Sequence, residues 1–100
     1  MNRAEELALE VLRRQVAETG CVGNTALLFF GDDCAEEHHA DPSEDWESFS
    51  AYVEDVAEEL DPGAVLLIHR PTRRDTVSAI YLDRRTNRTE ELQLPHPELN

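Results

Sequence analysis

Apolar and polar positions alternate along this chain in distinct rhythms, and each rhythm predicts a different kind of element. From residue 4 to 19, Ala4, Ala8, Val11, Leu12, Val16 and Thr19 recur at helical spacing, and Glu5, Glu6, Glu10, Arg13, Arg14 and Glu18 take most of the other positions. Glutamates in the first turns and arginines later suit the helix dipole, and Gly20 is placed to cap the C-terminus. Two short runs are apolar without alternation, Thr25 to Phe30 and Ala64 to Ile68. Runs of this length are too short for an ordinary helix and predict strands covered on both faces. The second run, opened by Gly63 and stopped by Pro71, is the expected centre of the sheet.

Between these runs, Gly31 to Ala40 has neither period and reads as an exposed, charged loop. Asp41-Pro42-Ser43-Glu44 then predicts a helix start, with Asp41 as N-cap, proline at the first helical position and glutamate at the third. The stripe Trp46, Phe49, Val53, Val56 and Leu60 follows, ended by Asp61-Pro62-Gly63. It is expected to be buried against Leu27, Phe29, Leu66 and Ile68. Thr76 to Asp83 and Thr89 to Leu94 read as strands of a hairpin turned at 84–88, where Asn87 suits a left-handed conformation.

The expected fold class is α+β, with two helices packed on a four-stranded mixed sheet in the order α-β-α-β-β-β, and residues 1–100 as a single compact domain. A right-handed crossover through the second helix makes the two apolar strands parallel neighbours, and the last three strands form a meander. If both helices share a face, the uncovered face of the sheet is closed by a homodimer.

Charge narrows the function classes. The chain has 22 Asp and Glu against 9 arginines, contains no lysine, and carries a net charge of −13. Such a surface repels nucleic acid phosphates and anionic membranes, so neither direct nucleic acid binding nor membrane binding is expected, and a protein partner with a basic surface is. The charge is uneven: residues 1 to 69 hold 17 acids and 3 arginines, residues 70 to 100 hold 5 acids and 6 arginines. The arginines of the second part fall in two separate turns and read as solubilising residues. No apolar run approaches the ~18 residues of a membrane span, the first residues lack a secretory pattern, and Cys21 and Cys34 are too few for a disulfide framework; the expected location is cytoplasmic.

Three functional readings follow. The acidic segment, with Asp32, Asp33, Glu36, Glu37, Glu44 and Asp45 as steering charges and Trp46 as an apolar anchor, suits a small inhibitor or adaptor. Its carboxylates mimic a phosphate backbone toward the basic groove of a nucleic-acid-binding or defence-system protein. The alternative is a small metal-binding protein or metal-dependent hydrolase using Cys34, His38, His39 and His69, although no tight Cys-x-x-Cys spacing or EF-hand alternation supports a site. His69-Arg70-Pro71 resembles the strand-end His-x-His-Pro of JAB-type metalloproteases in its first residue, but Pro71 stands where the second histidine belongs. The third reading is an acidic housekeeping domain adapted to high salt. No nucleophile elbow, phosphate-binding glycine loop, Rossmann fingerprint or zincin motif is present, which argues against an enzyme, and no cofactor is expected.

Overall fold

The computed structural model describes residues 3–31, 34–41, 43–70 and 76–95. The order of elements is α1 (Arg3–Thr19), β1 (Thr25–Phe29), β2 (Ala35–His39), α2 (Trp46–Leu60), β3 (Ala64–Ile68), β4 (Thr76–Asp83) and β5 (Arg88–Pro95). The strands form one five-stranded sheet, β2-β1-β3-β4-β5, in which every neighbouring pair is antiparallel. The class is α+β, and β3 lies at the centre of the sheet as its composition predicts.

Two features of the expected sheet are corrected, and one missed strand explains both. Ala35-Glu36-Glu37-His38-His39, expected as loop, is an edge strand paired with β1 from Thr25 opposite His39 to Phe29 opposite Ala35. Its residues are poor strand formers, so β2 exists because β1 offers it a ladder, not because its own side chains favour extension. Phe30 N–H donates to Cys34 O at 2.9 Å and closes this hairpin; Asp32 and Asp33 lie outside the described residues. With β2 present, the crossover through α2 joins β2 to β3. Those two strands run parallel with β1 between them, so β1 and β3 are antiparallel.

The second helix starts later than expected. Asp45, not Asp41, is the N-cap, its carboxylate accepting from Ser48 N–H at 2.8 Å. Asp41 instead holds a turn, accepting from Ser43 N–H at 3.0 Å and Ser43 Oγ–H at 2.8 Å. Two aspartates four residues apart both offer the same local hydrogen bond, and packing of Trp46 and Phe49 on the sheet decides which one opens the helix. Pro42 lies outside the described residues. At the other end Asp61 takes a left-handed conformation, φ 53°, and its N–H donates to Ala57 O at 2.9 Å.

Leu27 stands opposite Leu66 and Leu28 opposite Val65, which assigns alternate residues to two faces. On one face α1 brings Ala8, Val11 and Leu12 onto Leu27, Phe29, Leu66, Ile68, Val77, Ala79, Leu92 and Leu94. On the other, Phe49, Val53 and Ala57 of α2 pack on Ala26, Leu28 and Val65, with Trp46, Val56 and Leu67 partly buried beside them. The expected partners of α2, Leu27, Phe29, Leu66 and Ile68, therefore belong to α1. A run without alternation carries no mark of which face is which, so the sequence cannot assign them. Leu60 is also corrected: it is 42% exposed. A 15-residue helix is about 22 Å long and outruns five-residue strands of about 17 Å, so its last turn overhangs the sheet. The helices lie on opposite faces, so the arrangement that requires a homodimer over a bare face does not arise.

Candidate functional site

The sequence-predicted site residues divide between the two faces of β2 and the start of α2. His39 and Glu37 point to the α1 face, His38 and Glu36 to the α2 face, because neighbours on a strand project oppositely. Each histidine is bonded to the glutamate two residues before it: His38 Nε2–H to Glu36 Oε1 at 2.8 Å, His39 Nε2–H to Glu37 Oε2 at 3.1 Å. These bonds fix the same tautomer in both rings and leave Nδ1 as acceptor.

In neither ring is that acceptor free. His39 Nδ1 accepts from Gln15 Nε2 at 2.8 Å, and Gln15 Nε2 also donates to Thr25 Oγ1 at 2.6 Å. The Thr25 hydroxyl in turn donates to Gly23 O at 3.1 Å. His38 Nδ1 accepts from the Tyr52 hydroxyl at 3.2 Å, with the rings 5.8 Å apart. Arg14 pairs with both oxygens of Glu37. Burial pushes the Glu37 carboxyl up, but the bonds from Arg14 and His39 outweigh it and hold the group below its ordinary range. This chain of groups locks α1, β1 and β2 together; with Thr25 donating to a carbonyl and His39 Nδ1 occupied, it presents neither a nucleophile nor a free base.

Sequence reasoning missed its buried members. Gln15, Asn24 and Thr25 are the buried polar residues among those described. Asn24 Oδ1 accepts from Arg70 N–H at 2.7 Å, tying the start of β1 to the end of β3. Gln15 was legible, since it falls on the apolar stripe of α1 between Leu12 and Thr19, and a polar residue there must find a partner. A hollow of about 310 Å³ beside this cluster is lined by Gln15, Asn24, His39 and Arg70; Gln15 bonds His39, and Asn24 bonds the Arg70 backbone N–H.

Cys34, His38, His39 and His69 are not brought together. Cys34 is exposed before β2, the two adjacent histidines face opposite ways, and His69 lies past β3, its ring 4.6 Å from that of Trp46 and its Nδ1–H donating to Arg70 O at 2.6 Å. Among the described residues no three His, Cys, Asp or Glu side chains are grouped to hold a metal ion. Cys21 and Cys34 are free thiols.

On the α2 face the helix covers only part of the sheet. Its buried side chains rest on β1 and β3, Tyr52 reaches over His38 of β2, and β4 and β5 contribute nothing to that cluster. The ladder puts Leu82 and Ile80 of β4 beside Val65 and Leu67 of β3, all on this face. Leu67, Ile80 and Leu82 are left half-buried, next to exposed Ser78, Glu91 and Gln93. A hollow of about 340 Å³ opens there, lined by Trp46, Leu67, His69, Ile80, Glu91 and Gln93. Trp46 and His69 are the predicted site residues that lie on it.

The acids surround this face. Glu47, Glu54, Asp55, Glu58 and Glu59 of α2 are exposed, and none forms a salt bridge with another described residue. Glu44 is half-buried, while Asp41 and Asp45 are held below the ordinary carboxylate range, Asp41 by hydrogen bonds from the Ser43 backbone N–H and side chain, Asp45 by those of Ser48. Among the described residues no helix is long and apolar enough to cross a membrane. No protein-family model matches the chain, and no characterised protein and no solved structure is similar enough to it to indicate kinship.

Proposed function

We propose that residues 1–100 form one domain that works in the cytoplasm as an acidic binding protein, an inhibitor or adaptor engaging the basic surface of a protein partner and binding neither nucleic acid nor membrane. The observation that carries this reading is the solvent side of α2. Its carboxylates are exposed and unengaged by described cations, and they stand beside Trp46, which lines an open hollow with Leu67 and Ile80. Unengaged rim charge raises association rates, and affinity comes from one or two desolvated aromatic anchors. The two free thiols accord with a reducing compartment. The histidines and Cys34 serve structure in this reading, and no cofactor is required.

The test is the association kinetics of a fluorescent oligoarginine peptide. Changing Glu36, Glu44, Glu47 and Glu54 together to Gln is expected to slow association several-fold and flatten its dependence on salt, with a smaller effect on dissociation. Gln at position 36 keeps an acceptor for His38, and the other three side chains make no salt bridge with a described residue, so the fold should be unaffected. Unchanged association kinetics in a folded variant would reduce the acidic face to a solvated surface.

A further inference from the structure

We infer that the open strip of sheet beside α2 is the docking site, and that it takes one amphipathic helix with a basic flank on each side of its apolar stripe. The inference rests on the binding reading above and adds to it the place and the form of the ligand. Strands about 4.8 Å apart make a five-stranded sheet roughly two helix diameters wide, each helix being about 10 Å across. On this face α2 occupies the half over β1, flanked by β2 and β3. The half that no described residue covers is about one helix wide, and its floor is apolar through Ile80 and Leu82, with Leu67 at the edge of α2.

Charge complementarity identifies the occupant. Trp46 over His69 and Tyr52 over His38 fix which flank of α2 looks toward β4 and which toward β2. Glu47 and Glu54 follow Trp46 and Val53 by one residue, on the β4 flank, and both are exposed. Across the strip, Glu91 of β5 is paired with Ile80 and forms the opposite rim. An apolar floor with Glu47 and Glu54 on one side and Glu91 on the other fits an apolar stripe with basic residues on each flank, the helix-in-groove arrangement. A second copy of this chain is a poor occupant, because it brings its own acidic rims and a net charge of −13.

A leucine–lysine amphipathic peptide of about 18 residues, long enough to run beside α2, is the probe, with a shorter oligolysine of equal charge as control. The chain has a single tryptophan, so Trp46 emission reports on the hollow directly. The amphipathic peptide is expected to shift that emission to the blue and to bind at least roughly tenfold more tightly than oligolysine. Ile80→Gln with Leu82→Gln, which makes the half-buried floor polar without changing its charge, is expected to abolish that advantage and leave oligolysine binding unchanged. Amide shift mapping on the unaltered protein gives the same answer without a variant, with shifts concentrated on Ser78, Ile80 and Gln93.

Unchanged affinity of the amphipathic peptide for the folded double variant, or shifts mapping to the α1 face, would overturn the site while leaving the acidic-binding reading intact. Sedimentation as a dimer that the double variant dissociates would assign the strip to a second copy and also overturn it. Binding of the amphipathic peptide in the strip without any binding of oligolysine would support the site and remove the charge-steering reading. Failure of both peptides to bind would remove both.

Discussion

Phe49 tests the packing that positions Trp46 and the open strip. Its ring is 0% exposed and lies among Ala26, Leu28, Val53, Ala57 and Val65, with Tyr52 stacked at 6.4 Å between ring centroids. Phe49→Ala withdraws about 100 Å² of apolar side chain from this cluster, ~2.5 kcal/mol at about 25 cal/mol per Å². The void left behind adds about 1 to 2 kcal/mol at roughly 24 cal/mol per Å³ if the surroundings collapse partly. The expected loss is therefore about 3 to 5 kcal/mol, a large share of the about 5 to 15 kcal/mol that holds a typical domain together. Leu60→Ala, on the same helix stripe but 42% exposed, should cost under about 1 kcal/mol, because most of its surface is never removed from water. Urea unfolding followed by far-ultraviolet circular dichroism and by Trp46 fluorescence measures both, and coincidence of the two probes licenses the two-state treatment. A loss below about 1 kcal/mol for Phe49→Ala, or equal losses for the two variants, would refute the placement of α2 on β1 and β3.

The folded-state pKa of Glu37 is depressed, so its contribution to stability is present above the ordinary carboxylate range and lost as pH falls through the depressed value; the stability gap between the protein and Glu37→Gln should be widest near neutral pH and close below pH about 4. Asp45→Ala removes the cap of α2 and should lower both helicity and thermal midpoint, and Asp41→Ala, which frees only a turn, should lower them less, as read by circular dichroism. With a net charge of −13, self-repulsion should make the thermal midpoint rise with NaCl and level off by about 1 M, where the screening length is about 3 Å; a rise that continues steeply at higher salt would favour the salt-adapted housekeeping reading. Plain duplex DNA should give no gel shift at about 0.15 M salt, and a shift that weakens steeply with salt would make the arginine turns a nucleic acid site.

Much of the local structure was written in the sequence because it depends on neighbours a few residues away. The helical stripe of α1 and its Gly20 cap, the central strand β3 opened by Gly63, the β4–β5 hairpin and the left-handed Asn87 all follow from periodicity and turn chemistry. The acidic character of the α2 face was equally legible, since exposed charge needs no partner to declare itself. What the sequence left open were choices between alternatives of equal local energy. Leu27 and Leu28 are equally apolar, so only the docking of two helices decides that one faces α1 and the other α2. Asp41 and Asp45 compete for the same capping role, and the packing of Trp46 settles it. Glu36 to His39 carry no strand signal, and only the unpaired edge of β1 draws them into the sheet. The predicted metal set dissolves for the same reason: adjacency in sequence becomes opposition once the residues lie on a strand. The open strip beside α2 is likewise invisible in the chain, because it is defined by which strands the helix fails to cover, and that is a property of the assembled layers alone.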